Sequence, residues 1–195
     1  APERGGERYL AMPPLAPELF ALSERVMSGA GSDVERVAAV ERWLREKGRY
    51  SDTPPPDRGD DPRSPVERFV LENTEGHCEY FASAMVMMLR SQAIPARLVN
   101  GFAGGRSNAF GDFVEVSRAD AHAWVEVGFE HAGWVRFDPT PPDLRLRASH
   151  AGMLAQLRDV AGAAEHWWYR HVVEFDRSDQ LRALRTGASE AEEAL

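Results

Sequence analysis

The sequence predicts an α+β fold, with helices first and an antiparallel sheet after them. Three observations carry this reading. Apolar residues recur at helical spacing as far as Arg90. From Ala96 to Asp138 they give way to short alternating runs separated by Gly, Asn and Asp turns. Beyond Pro142 helical spacing returns in Met153, Leu154 and Leu157 and again in Trp167, Trp168, Val172 and Val173.

Residues 1–16, rich in Pro and Gly, read as an irregular lead-in that Tyr9, Leu10 and Leu15 can anchor. A first helix is expected from Pro17 to Ser28, stopped by the Gly29 to Gly31 cluster. A second starts at Ser32, with Glu35 three residues on as in a capping box, and ends before Gly48. Val34, Val37, Ala38, Val40 and Leu44 give it an apolar stripe. The Pro- and Asp-rich run from Ser51 to Pro65 reads as a surface loop, and Ser64, Pro65 and Glu67 then open a short helix ending near Asn73. After a turn at Glu75 and Gly76, the residues Phe81, Ala82, Met85, Met88 and Leu89 place a buried helix from Cys78 to Arg90. Strands are expected at Ala96 to Phe102, Phe113 to Val116, His122 to Phe129 and Trp134 to Asp138. The organisation is then one domain over 17–185, with a core at about 64–142, a helical extension over 143–185 and a polar tail over 186–195.

Composition narrows the function classes. The chain has 195 residues, 43% hydrophobic and 28% charged, enough for a substantial core. A net charge of -8 and the lack of any basic run argue against a nucleic-acid surface. No stretch approaches the roughly 20 apolar residues of a membrane span, and Ala1 to Arg8 lacks the apolar segment of a signal peptide. The single cysteine excludes an internal disulfide and leaves either packing or chemistry as its role.

Chemistry is the better reading. Cys78 falls at the predicted start of a helix, where free N–H groups and the positive end of the dipole favour a thiolate over a thiol. Those same donors can hold an oxyanion. A cysteine nucleophile needs a histidine base, and the base needs a carboxylate to fix its tautomer. His122 opens one strand and Asp138 closes the next. His122, Trp124 and Glu126 share one face of the first strand, and Trp134, Arg136 and Asp138 share one face of the second. The two faces coincide only if the hairpin loop has odd length. Pairing Phe129 with Gly133 sets Asp138 opposite Trp124 and diagonal to His122, whereas a two-residue loop puts His122 and Asp138 on opposite faces.

Five blocks in order resemble the bacterial transglutaminase-like superfamily, in particular its TgpA type, the extracytoplasmic portion of multi-spanning inner-membrane proteins. They are Gly76-His77-Cys78-Glu79-Tyr80-Phe81-Ala82, Ile94-Pro95-Ala96-Arg97, Asn100-Gly101-Phe102, Ala121-His122-Ala123-Trp124-Val125-Glu126-Val127 and Gly133-Trp134-Val135-Arg136-Phe137-Asp138-Pro139-Thr140. The resemblance implies a papain-like core with Cys78 on a helix and His122 and Asp138 on neighbouring strands as a catalytic triad. It implies no metal and no organic cofactor, and a periplasmic domain of a membrane-anchored parent. The activity implied is formation of a thioester from a glutamine-type carboxamide of a protein or peptide and its transfer to an amine. Transfer to water, by a cysteine peptidase, amidase or deamidase acting on periplasmic or cell-wall peptides, is the alternative, and a catalytically silent binding module the second.

Other candidates are weighed against simpler roles. Trp124, on the His122 face, either lines the acyl-donor groove or packs in the core. Asn73, upstream of the nucleophile helix, and Trp43, placed about where animal transglutaminases carry a tryptophan, are candidate oxyanion residues. His77 is next to Cys78, but adjacent helical side chains diverge, so it does not serve as base. Glu79, Glu126 and the acidic run Asp57 to Asp61 lack the spacing of a calcium loop and read as solvated charge.

Overall fold

The computed structural model describes residues 6–53, 59–142 and 153–168, with side chains from Val160 onward in the last of these segments. Tyr169, Val172, Val173, the tail over 186–195 and the Pro-rich segment 54–58 lie outside the described residues. The chain divides into two compact units, Ala1–Gly104 with Ser117–Ala148, and Gly105–Val116 with Ser149–Leu195.

The first unit is α+β. Helix α1 (Pro17–Met27) begins with Pro17 in its first turn, where the missing N–H has no cost. Helix α2 (Asp33–Lys47) is capped by the Ser32 hydroxyl, which accepts from the Glu35 N–H at 3.3 Å. The reciprocal half of that predicted box is shifted by one residue, because Glu35 Oε2 accepts from Gly31 instead, at 2.6 Å. Strand β1 (Arg49–Tyr50) pairs in parallel with β2 (Glu75–Gly76), fixing the chain just ahead of Cys78. Helix α3 (Pro65–Arg68) carries a full capping box between Ser64 and Glu67. It passes into a π turn over Phe69–Asn73 and ends on Thr74 in the left-handed conformation, φ 44°. The short helix therefore stops where expected but widens in its last turn, as π segments do near functional sites.

Helix α4 (Cys78–Ser91) buries Phe81, Ala82, Met85, Met88 and Leu89 completely. It packs on an antiparallel sheet of order β3-β6-β7, made of Ala96–Phe102, Ala121–Phe129 and Gly133–Phe137. Alternation decides the two faces. Ala123, Val125 and Val127 are buried in the core cluster with α4, while His122, Trp124 and Glu126 project from the other side of β6 and are only partly covered.

In the second unit, β4 (Arg106–Ser107) pairs with β5 (Val114–Glu115), and helix α5 spans Met153–Trp168. The strand expected at Phe113 to Val116 is thus shorter at both ends and has a partner that the sequence reading missed. Glu115 accepts from Asn108 Nδ2 at 2.9 Å and pairs with Arg106. Gly162 lets α5 approach this group, since a Cβ there would lie 2.5 Å from Glu115 Oε1.

Candidate active site

Three elements of the first unit carry the candidate residues, α4 with Cys78, β6 with His122 and the end of β7 with Asp138. Cys78 is the first residue of α4, with His77 as its N-cap in an extended conformation, φ -89° and ψ 176°. The residue is 9% exposed. The backbone N–H groups of Ala123, Glu79 and Cys78 itself act on the sulfur. The Ala123 contact is decisive for geometry, because it sets the nucleophile candidate against β6 one residue from His122.

The β6–β7 hairpin has the odd-length loop that the pairing of His122 with Asp138 requires. Phe129 pairs with Gly133, and Val125 with Phe137, so Asp138 comes next in line opposite Trp124. Gly133 adopts φ +69°, the left-handed step that lets a three-residue loop close. His122 and Asp138 then meet across the diagonal, with Nε2 2.7 Å from Oδ2. Asp138 is held on its other side as well. Its Oδ1 accepts from the Thr140 N–H at 3.1 Å, and its own N–H donates to Glu41 Oε1 at 2.9 Å. With Nε2 committed to the carboxylate, Nδ1 is the imidazole nitrogen that does not face Asp138.

The electrostatics of Cys78 depart from the expected ones. Burial pushes its thiol above the ordinary value, the N–H groups of Ala123 and Glu79 pull it back, and the Glu79 carboxylate raises it again. Burial is the largest of these influences, and the net direction is upward, against the lowering that a helix terminus alone supplies. The sequence reading counted the dipole and not the depth at which the sulfur sits.

Trp124 lies flat over the sheet. Its Cη2 sits where a Cβ at Gly101 would be only 2.6 Å away, and the Arg136 guanidinium covers the ring at 4.3 Å from its centroid. The His122 ring is near parallel to it, centroids 6.5 Å apart. Trp124 Nε1 is buried and, among the described residues, has no hydrogen-bond partner. Trp43 is partly buried against the core, and Asn73 is exposed at the end of the π turn. Neither is drawn into the His122–Asp138 network. His77 packs edge-on against Tyr80, centroids 5.0 Å apart. Among the described residues, no group of three or more His, Cys, Asp or Glu is placed to hold a metal.

Glu41 and Thr140 are the contributors that sequence reasoning missed. Glu41 had left a signal. Val37, Val40 and Leu44 form the fully buried stripe of α2, and Glu41 occupies the remaining slot of that same face, where a carboxylate needs a partner.

A helix-borne cysteine beside a His–Asp pair on an antiparallel sheet is the architecture shared by papain-like and transglutaminase-like proteins. The chain belongs to the transglutaminase-like superfamily, whose profile matches residues 21–139. It is 35% identical over 139 residues to the uncharacterized protein YebA of Bacillus subtilis, covering 69% of this chain and 19% of that protein. It is also 35% identical over 125 residues to a protein-glutamine gamma-glutamyltransferase of Pseudomonas aeruginosa, covering 64% of this chain and 18% of that one. The chain thus spans about a fifth of the length of these curated relatives. Among solved structures, the periplasmic domain of TgpA from Pseudomonas aeruginosa superposes with a TM-score of 0.60 at 33% identity, covering 68% of this chain and 47% of that chain. A structure from Cytophaga hutchinsonii, TM-score 0.51 at 20% identity over 71% of this chain and 43% of that one, shares the fold. No helix among the described residues is long and apolar enough to cross a membrane.

Proposed function

We propose that the chain is an acyl-transfer domain in which Cys78 is the nucleophile, His122 the base and Asp138 the group that orients it. The observation that carries this reading is the 2.7 Å contact of His122 Nε2 with Asp138, formed beside a helix-terminal cysteine that faces the Ala123 N–H.

The chemistry follows from that geometry. The thiol proton passes to His122 Nδ1 as sulfur attacks the carbonyl carbon of a glutamine-type carboxamide. Main-chain N–H groups of the first turn of α4 stabilise the oxyanion. Collapse breaks the C–N bond, His122 returns the proton to the departing nitrogen as ammonia, and a thioester remains on Cys78. An amine then attacks the thioester and gives its proton to His122, and sulfur leaves to recover the thiol. The mechanism uses no metal or organic cofactor. Asp138 holds Nε2 protonated throughout and stabilises the imidazolium between steps. Trp124 lines the acyl-donor groove, with its unpartnered Nε1–H available to a substrate carbonyl. The likeness to a periplasmic domain supports an extracytoplasmic location in a longer, membrane-anchored protein.

The test is incorporation of a labelled primary amine into a glutamine-bearing peptide, measured beside ammonia release with no amine present. Incorporation that falls to background in Cys78→Ala, a loss of about a thousandfold or more, is the expected outcome. Ammonia release without incorporation would make the enzyme a deamidase, and neither reaction would sink the acyl-transfer reading.

A further inference from the structure

We infer that Glu41, on a helix that contributes none of the proposed reacting groups, is a positioning residue for the triad. The inference rests on the reading of Cys78, His122 and Asp138 given above and adds a fourth group to it. Among the described residues strand β7 is an edge of its sheet, and N–H groups on its outer side find no strand there to pair with. At Asp138, immediately after the last paired residue Phe137, Glu41 supplies that missing acceptor at 2.9 Å from 97 positions away in sequence. The bond is charge-assisted and partly shielded from water, which places it among the stronger hydrogen bonds.

Its consequence is geometric. A carboxylate can orient an imidazole only if its own backbone is stationary, and a strand end beside Pro139 has lost its ladder. Thr140 fixes one carboxylate oxygen of Asp138, His122 engages the other, and Glu41 fixes the main chain from which both are reached. The side chain of Asp138 is 37% exposed, so packing alone does not immobilise it. Glu41 itself cannot drift, because Val37, Val40 and Leu44 on either side of it are fully buried. This hydrogen bond thereby ties α2 to the residue whose carboxylate meets the proposed base. Glu41 never approaches the reacting atoms, so its effect is exerted through Asp138.

The hydrogen bond needs an acceptor and not a charge, which makes the test specific. Glu41→Gln keeps an oxygen in place, and Glu41→Met fills a similar volume without one. Two readouts are taken on each variant: the ring nitrogen chemical shifts of His122 by NMR, which report its tautomer and are assigned by their loss in His122→Ala, and the rate of amine incorporation. In Glu41→Met the ring should leave its single Nε2–H tautomer, as its carboxylate partner loosens, and the rate should drop about tenfold or more. Glu41→Gln should retain the parental ring shifts and a rate within about threefold of the parental one. Unchanged His122 ring shifts in folded Glu41→Met overturn the assignment. So does Glu41→Gln behaving like Glu41→Met, which would make charge or packing the cause. If Glu41→Met does not fold, Glu41→Ala is read in its place, and if neither folds Glu41 is a structural residue and the assignment is withdrawn. Because the ring shifts need no substrate, they remain decisive if the amine-incorporation assay fails for want of the right acyl donor.

Discussion

Cys78 sits between two opposing influences, and their balance fixes when the sulfur becomes reactive. Burial raises its pKa, while the Ala123 and Glu79 N–H groups lower it by less. In the unfolded chain the thiol loses its proton near its ordinary value of about 8.5. In the folded chain it holds the proton to higher pH. Between those two values the unfolded state binds fewer protons than the folded one, so this group's contribution to stability is complete below the ordinary value and is lost as pH rises through the raised one. The same displacement governs alkylation. Iodoacetamide should react slowly near neutrality and accelerate with a midpoint above about 8.5. A midpoint well below that value would mean that His122 already holds the proton in the free protein, contrary to the proton transfer on attack described above. The sequence located this residue from a helix start, but depth of burial is a tertiary quantity that spacing does not encode. Glu41 was out of reach for a related reason, since its partner is set by how α2 lies against the end of β7.

The hairpin of β6 and β7 is the element that unites the pair, and here the sequence was almost fully legible. Side chains alternate with a period of two, so only a loop of odd length puts His122 and Asp138 on one face, and the observed pairing of Phe129 with Gly133 meets that condition. The nucleophile helix was equally plain from its apolar spacing. Less legible was the cross-strand neighbour of His122. Gly101 pairs with it, and the absence of a side chain there makes room for the Trp124 indole. That role needs the register of β3 against β6, which no local pattern supplies. Gly101→Ala would thrust a Cβ to within 2.6 Å of Trp124 Cη2. We expect a loss of about 1 to 3 kcal/mol in chemical denaturation together with lower activity, since the displaced ring lies beside His122. Combining Gly101→Ala with Trp124→Ala should recover much of the lost stability, because the clash needs both partners. Additive losses in the double variant would show that the glycine serves the backbone and not the ring.

On the scale of the whole molecule, the described core belongs to one part of the chain. Among the described residues every member of the buried cluster falls between Leu19 and Val127, and the superfamily match ends at residue 139. The helical spacing beyond Pro142 was read correctly as far as α5 is described, Met153–Trp168, but periodicity alone does not say which core a helix serves. Exposed Trp167 and Trp168, at 58% and 55%, add no large buried surface to α5 within the second unit. Hydrophobic burial is the dominant favourable contribution to folding, so the segment that contains the cluster should fold without the rest. A chain ending at Pro142 is therefore expected to unfold cooperatively, with a midpoint in urea close to that of the full chain and unchanged His122 ring nitrogen shifts. The strands β4 and β5 would be the part to loosen in it, since a two-stranded ribbon is marginal by itself and helix α5 of the same unit is gone. Hydrogen exchange should then show fast amides over 105–116 and protected ones over 78–91 and 121–129. Uniform loss of protection across both sets, or a non-cooperative transition, would mean that residues beyond 142 are needed to complete the fold that carries Cys78, His122 and Asp138.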